Sequence, residues 1–189
     1  MHLKGALHAH TTFSDGALAV EAVCETYRGL GFDFVAITDH DFLVRPDYWD
    51  CLARVRTDVL LFAGMELTVF EKGYVHVNRI RGERDELHIF NHPADLNLPL
   101  RRIIERILAV ARRLPIDAVE LTARGTRIPE LEAAKLPFPK VATDDSHTRA
   151  GCGRAWVEMD SRRDKDAIIR AIREGDFWNC YADAGRYGS

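Results

Sequence analysis

The stretch "GFDFVAITDHD", residues 31–41, decides how the rest of the chain is read. A short run of aromatic and β-branched residues without polar alternation suits a strand buried on both faces, and such strands belong to parallel sheets. Gly31 stops a helix expected over about Leu18–Leu30 ("LAVEAVCETYRGL"). At its far end the apolar run delivers an acid and an imidazole, Asp39 and His40.

The same grammar repeats in both directions along the chain. Strands are expected over residues 3–9, 58–66, 87–92, 117–122, 140–143 and 154–159, with an additional alternating strand over 74–80 and an extended piece over 177–181. Helices are expected from Pro46 to about Arg56, from about Pro99 to Leu114, briefly between the strands at 117–122 and 140–143, and over 165–175. Strand–helix alternation predicts a parallel sheet wound with helices. About seven strands without a dinucleotide glycine fingerprint favour a closed or nearly closed small α/β barrel over an open sheet. No linker, repeat or low-complexity segment interrupts the 189 residues, so one domain is expected.

Composition narrows the class. With 47% hydrophobic and 29% charged residues the chain is an ordinary globular sequence. A net charge of −3 weighs against a protein that reads nucleic acid through a basic field. No apolar run is long enough to span a bilayer, and the start lacks the apolar core of a signal peptide, so a cytoplasmic location is the default expectation. Cys24, Cys51, Cys152 and Cys180 fit neither a zinc ribbon nor a disulfide framework. Any metal would be held by nitrogen and oxygen.

Those donors fall where chemistry is expected. His8 and His10 end the first strand, Asp39 and His40 the second, Glu66 the third and His92 the fifth; Glu120 lies near the end of "DAVELT", and Asp145 and His147 follow "KVAT". The C-terminal ends of parallel barrel strands are where active sites sit. Six of the eight histidines (8, 10, 40, 76, 92 and 147) lie in or near such positions. One strand histidine is usually structural; six beside carboxylates point to metal. Imidazole and carboxylate without thiolate suit zinc, manganese or iron rather than copper(I), magnesium or calcium. His8, His10, Asp15, His40, Glu66, His76, His92, Asp145 and His147 are more donors than one tetrahedral ion uses, so two or three divalent ions are expected.

"LHAHTTFSDG", "GFDFVAITDHD", "GMEL", "NHP" and "DDSH", in this order, resemble the PHP (polymerase and histidinol phosphatase) family over nearly the whole chain. The resemblance implies a single-domain, distorted (β/α)7 barrel with a di- or trinuclear centre that hydrolyses phosphate esters, a metal-bridging hydroxide being the nucleophile. It also implies a ligand set: His8 and His10 with Glu66 and Asp145 on one ion, Glu66 bridging to a second held by His76 and His92, and Asp15, His40 and His147 on a third. The D-x-H spacing selects Asp145 over Asp144 as the ligand. Asp39, Glu120 and Asp144 are expected to support the ligands from behind, Asp39 by orienting an imidazole. His40 or His147 could act as an acid toward the leaving oxygen.

Arg45, Arg79, Arg124, Arg127, Arg149 and Arg154 could overlook the mouth, with Arg149 and Arg154 the first choices for phosphate. Ser14 and Ser146 are read as loop residues rather than nucleophiles. The expected substrate is a small phosphomonoester. An exonuclease acting on oligonucleotides, an amidohydrolase-like enzyme and a non-catalytic metal-binding domain are the competing readings.

Overall fold

The computed structural model describes residues 1–182. In chain order its elements are β1 (His2–Ala6), α1 (Val20–Gly29), β2 (Phe34–Ile37), α2 (Tyr48–Arg54), β3 (Leu60–Phe70), β4 (Tyr74–Arg81) and β5 (Glu86–Phe90). A 3-10 turn (Pro93–Leu96), α3 (Leu100–Ala111), β6 (Ala118–Glu120), the short hairpin β7 (Thr122–Ala123) and β8 (Thr126–Arg127), α4 (Pro129–Ala133) and β9 (Lys140–Val141) follow. The chain continues through a second 3-10 turn (Arg149–Gly151), β10 (Ala155–Asp160), α5 (Lys165–Glu174) and β11 (Trp178–Tyr181). Pro46 and Pro99 precede α2 and α3 rather than opening their first turns.

Nine strands form one sheet in the order β11-β10-β1-β2-β3-β4-β5-β6-β9. The expected alternation holds for β1, β2 and β3 and again for β5, β6 and β9, which pair in parallel. Two strands depart from it. β4 runs antiparallel between β3 and β5, and β10 runs antiparallel to β1. Only Lys72 and Gly73, both at positive φ, separate the paired ends of β3 and β4 with Glu71, so this connection is a hairpin with no room for a crossover helix.

The sheet curls until its ends nearly meet, giving the expected barrel. At the upper end Ala9 forms a parallel bridge with Ser146, through His10 N to Ser146 O at 2.9 Å. Lower down the gap between β9 and β11 is spanned by one side chain. Asn179 Nδ2 donates to Lys140 O (2.8 Å) and its Oδ1 accepts from Ala142 N (2.6 Å).

Side-chain alternation sorts the core into layers. Phe34 and Ala36 of β2 point into the barrel with Leu3, Leu7, Phe62, Leu87 and Ile89, while Val35 and Ile37 pack outward on α1 and α2. The inner cluster includes Ile168, Ile169 and Ile172, so α5 stops the end of the barrel where the parallel strands begin. Asp166 fastens it there by accepting from the backbone N–H groups of Glu83, Arg84 and Asp85, just before β5. The opposite end stays free for polar side chains. α3 covers β4, β5 and β6 from outside through Ile103, Ile107 and Val110. No helix among the described residues is long and apolar enough to cross a membrane.

Candidate metal centre

Six histidines and three carboxylates converge at the strand ends. His8 Nε2 lies 3.0 Å from His10 Nε2, and both nitrogens face Asp145 Oδ1 at 3.4 and 3.3 Å. Glu66 is central: Oε1 is 3.0 Å from His92 Nε2, 3.3 Å from His76 Nδ1 and 3.5 Å from His8 Nε2. Its other oxygen, Oε2, lies 2.9 Å from His40 Nδ1 and 3.4 Å from His10 Nε2. Asp15, half exposed, completes the outer edge at 3.4 Å from His10 Nδ1 and 3.3 Å from His147 Nε2. All nine sequence-nominated donors are thus in one cluster.

The elements explain why. His8 and His10 leave β1 two residues apart and share a face. The loop behind them folds back tightly, with Thr11 O accepting from Ser14 N and Gly16 N. A Cβ on Gly16 would meet the His10 carbonyl at 2.5 Å, so only glycine lets Asp15 return to the imidazole. His76 arrives by another route. Because β4 is antiparallel, the strand's beginning, not its end, lies at the mouth, paired with Thr68. His92 and Asp145 both adopt left-handed backbone, φ 25° and 45°, which is costly for residues with a Cβ and typical of functional sites. Asp145 therefore joins His147 through a kink rather than the extended alternation expected.

Three groups have donor atoms close enough to share an ion: His10, Asp15, His40 and His147; His8, His10 and Glu66; and His40, Glu66 and His76. They differ from the resemblance's partition in that His10 also borders the outer group and His40 also faces Glu66 and His76. Among the described residues, six buried side-chain polar atoms lack a hydrogen-bond partner. Four belong here: His40 Nδ1, Glu66 Oε2, His76 Nδ1 and Asp145 Oδ1. Such orphans are expensive in a protein interior. His40 Nδ1 and Glu66 Oε2 approach without hydrogen-bond alignment, as lone pairs aimed at a common point do. The donor set and its unpaired atoms fit divalent metal.

Charge says the same. Burial opposes a proton on His8, yet Glu120, Asp145 and Glu66 hold its imidazole well above the ordinary value. Burial, reinforced by the His8 charge, pushes the neighbouring His10 down. For Glu66 burial again opposes ionisation, but His8, with His40 and His76, outweighs it and holds the carboxyl far below the usual range. Asp145 lies low for the same balance, with His8 and His10 against burial. The pocket demands a cation, which a proton or a metal ion can supply.

The supporting acids divide. Glu120, buried, accepts from His8 Nδ1 (2.7 Å), His92 N (2.7 Å) and Thr143 Oγ1 (2.8 Å), fixing the His8 ring with Nε2 toward the cluster. Asp39 touches no imidazole directly; it reaches one only through the Ser14 hydroxyl, which lies 3.4 Å from His10 Nδ1. It points away from the His40 ring and accepts from Thr11 N (2.7 Å), Thr11 Oγ1 (2.7 Å) and Ser14 Oγ (2.5 Å). Successive side chains on an extended segment face opposite sides, so Asp39 and His40 cannot both enter the cluster. Asp144 likewise turns from Asp145 and accepts from Tyr27 Oη (2.9 Å) and Gly153 N (2.6 Å); burial raises its carboxyl to about 7.

The favoured arginines are not bonded to the cluster. Arg149 donates to Thr26 on α1 (2.9 Å) and Arg154 to Ala150 O (3.2 Å). Arg79 is paired with Glu86 at the far end of the antiparallel β4, and Arg127 with Glu132. Sequence reading missed the amides behind Glu66. Asn91 Nδ2 donates to Glu66 Oε1 (2.7 Å) and to Asn78 Oδ1 (2.8 Å), and Asn78 Nδ2 donates to Leu7 O (3.3 Å). The available signal was an asparagine in the alternating strand "YVHVNRI".

No curated protein matches the chain. Solved structures do, at identities where the likeness is one of fold. One is a two-domain protein from Bacteroides vulgatus containing a predicted PHP-like metal-dependent phosphoesterase, with 18% identity and a TM-score of 0.67. It aligns with 96% of this chain, which spans only 65% of that one. PsfC from Pseudomonas syringae aligns over 96% of this chain and 92% of its own at 12% identity and a TM-score of 0.72. An amidohydrolase from Chromobacterium violaceum, with bound sulfate, aligns over 95% and 99% at 13% identity and a TM-score of 0.63. At the sequence level a PHP-associated model matches residues 130–177, the span holding Asp145 and His147. The model of the PHP domain itself matches residues 6–124, from the first strand's histidines past Glu120, and by that match the chain belongs to the PHP domain family.

Proposed function

We propose that the chain is a metal-dependent hydrolase of phosphate esters, its substrate a small phosphomonoester. The observation that carries this reading is the convergence of unpaired, buried donors on Glu66 and Asp145. The nine nominated residues would hold two or three ions of zinc, manganese or iron, with Glu66 positioned to serve more than one through its two oxygens. When bound, such ions supply Lewis acidity toward phosphoryl oxygens and lower the pKa of water into the neutral range.

The chain's own groups do the rest. Glu120 keeps a proton on His8 Nδ1, so the proton that an arriving ion would displace is the one on Nε2. Asn91 and Asn78 stop Glu66 from rotating away. His147, a quarter exposed, and His40 stand at the outer edge, where whichever of them is not holding an ion could pass an Nε2 proton to a leaving alkoxide. We also read the chain as one folding unit, because β10 pairs with β1 and α5 fills the barrel interior.

The test is metal analysis of purified protein followed by a phosphomonoester assay with added manganese or zinc. At least two ions per chain and metal-dependent release of phosphate are expected. His10→Ala and Asp145→Ala should each reduce bound metal and abolish turnover. Less than one ion per chain after reconstitution, or amide hydrolysis without phosphatase activity, refutes the reading.

A further inference from the structure

The face of the β3–β4 hairpin that carries Glu66 does not end at the cluster. Cross-strand pairs step outward from Glu66–Asn78 to Thr68–His76 and then Phe70–Tyr74. With two residues per pleat, each step moves about 7 Å along the strand. One step beyond His76 the polar face becomes aromatic. Tyr74 is 72% exposed and braced edge-on by Phe70, with ring centroids 5.6 Å apart. Across from it, Phe42 is 65% exposed and leans on the His40 ring at 5.3 Å.

Between them lies an open cleft of about 520 Å³ lined by Asp41, Phe42, Thr68, Tyr74 and His76. Asp41 ties its two walls together, accepting from Thr68 N (3.2 Å) and Thr68 Oγ1 (3.0 Å). Exposed apolar side chains scattered singly are ordinary, whereas a contiguous group of them marks a ligand or interaction site. Among the described residues, four of the eight exposed large hydrophobics (Phe42, Leu43, Phe70 and Tyr74) lie on these two segments. His76 belongs both to the cleft and to the cluster, so a molecule held at the cluster can extend into this space.

We propose that Phe42 and Tyr74 form the leaving-group pocket, and that the substrate is a phosphate monoester of an uncharged, ring-bearing alcohol. This inference rests on the phosphoesterase reading. In the reaction the P–O bond to the alcohol breaks. Water supplies the oxygen that replaces it on phosphorus and the proton taken up by the leaving alkoxide. Two aromatic walls suit a flat ring, which they can sandwich or meet edge-on. Asp41 puts a carboxylate on the wall and, among the described residues, no lysine or arginine lines the cleft, so a leaving group with its own anionic charge is disfavoured.

Benzyl and propyl phosphate separate the ring from leaving-group reactivity, because their alcohols are of similar acidity; 4-carboxybenzyl phosphate tests the charge. With metal-loaded protein, kcat/KM for benzyl phosphate should exceed that for propyl phosphate by about ten-fold or more, with the carboxylated ester poorer than benzyl. The benzyl-to-propyl ratio should fall at least about three-fold in Phe42→Ala and in Tyr74→Ala and approach unity in the double variant. Leu30→Ala, an exposed leucine at the end of α1, should leave it unchanged. Calorimetric affinities for benzylphosphonate and propylphosphonate should follow the same order without turnover.

A wild-type ratio near unity, or a ratio unaltered in the double variant, overturns the pocket while phosphate release still supports the hydrolase. If no ester is turned over, the phosphoesterase reading fails. The phosphonates then decide the pocket separately: equal affinities, or no binding of either, refute it.

Discussion

Glu120 shows how much one side chain can do without touching the reacting atoms. It lies at the end of β6, accepts from an imidazole, a backbone amide and a hydroxyl, and is almost wholly buried. In Glu120→Gln the amide cannot accept through both ends, so either His8 Nδ1 or His92 N loses its acceptor and the bracing of the His8 ring weakens. Metal affinity is expected to fall about 10–100-fold, measured by titration against a competing chelator, with folding retained by circular dichroism. A variant with wild-type affinity would reduce Glu120 to a core filler. Adjacent acids were harder to sort from sequence. D-x-H spacing separated Asp145 from Asp144, and Asp145 does face His8 and His10 while Asp144 faces Tyr27. The spacing argument assumed extended backbone, however, and Asp145 is left-handed. Asp39 meets no imidazole directly, because its neighbour His40 already occupies the inward direction, and reaches His10 only through Ser14.

Elements place these residues through direction as much as through order. Short, largely apolar runs ending in acid or imidazole identify β1, β2, β3, β5 and β6, and in β2 and β6 burial on both faces removes polar residues until the strand leaves the sheet. Direction is invisible in such runs. Nothing in "YVHVNRI" announces an antiparallel strand except the short link before it, yet that reversal brings His76 to the mouth and sends Arg79 to the other end. The barrel's seam is equally cryptic. Asn179 stands in for the missing ladder between β9 and β11 with its side-chain amide. Asn179→Ala should leave two backbone groups without these partners, destabilising the protein by about 1–3 kcal/mol in urea unfolding. Faster exchange of the Ala142 amide hydrogen should accompany it. Unchanged stability and exchange would mean that the seam is held by packing alone.

At the scale of the whole molecule the mouth is a store of unfavourable electrostatics that a cation relieves. Imidazoles crowd within about stacking distance, as in the 4.1 Å separation of the His10 and His147 rings, and buried oxygens and nitrogens stay unpaired. Ions that bind only the folded state stabilise it by mass action, about 2.7 kcal/mol at a hundred times Kd. For a chain of this size that corresponds to about 5–10 °C in Tm. Chelation should therefore lower Tm by about this amount, and added manganese or zinc should restore it, as read by differential scanning calorimetry. A Tm indifferent to chelator in protein shown to contain metal would contradict the link between cluster and stability.

The sequence by itself determined which strands build the main sheet, which end of them is polar and which residue types gather there, because burial acts locally on each run of side chains. Tertiary structure alone decided that β4 and β10 turn back, that His40 faces Glu66 and His76 as well as Asp15 and His147, and that Asn78 and Asn91 brace Glu66. These depend on register and strand direction between segments far apart in the chain, and neither quantity leaves a periodic trace in the sequence.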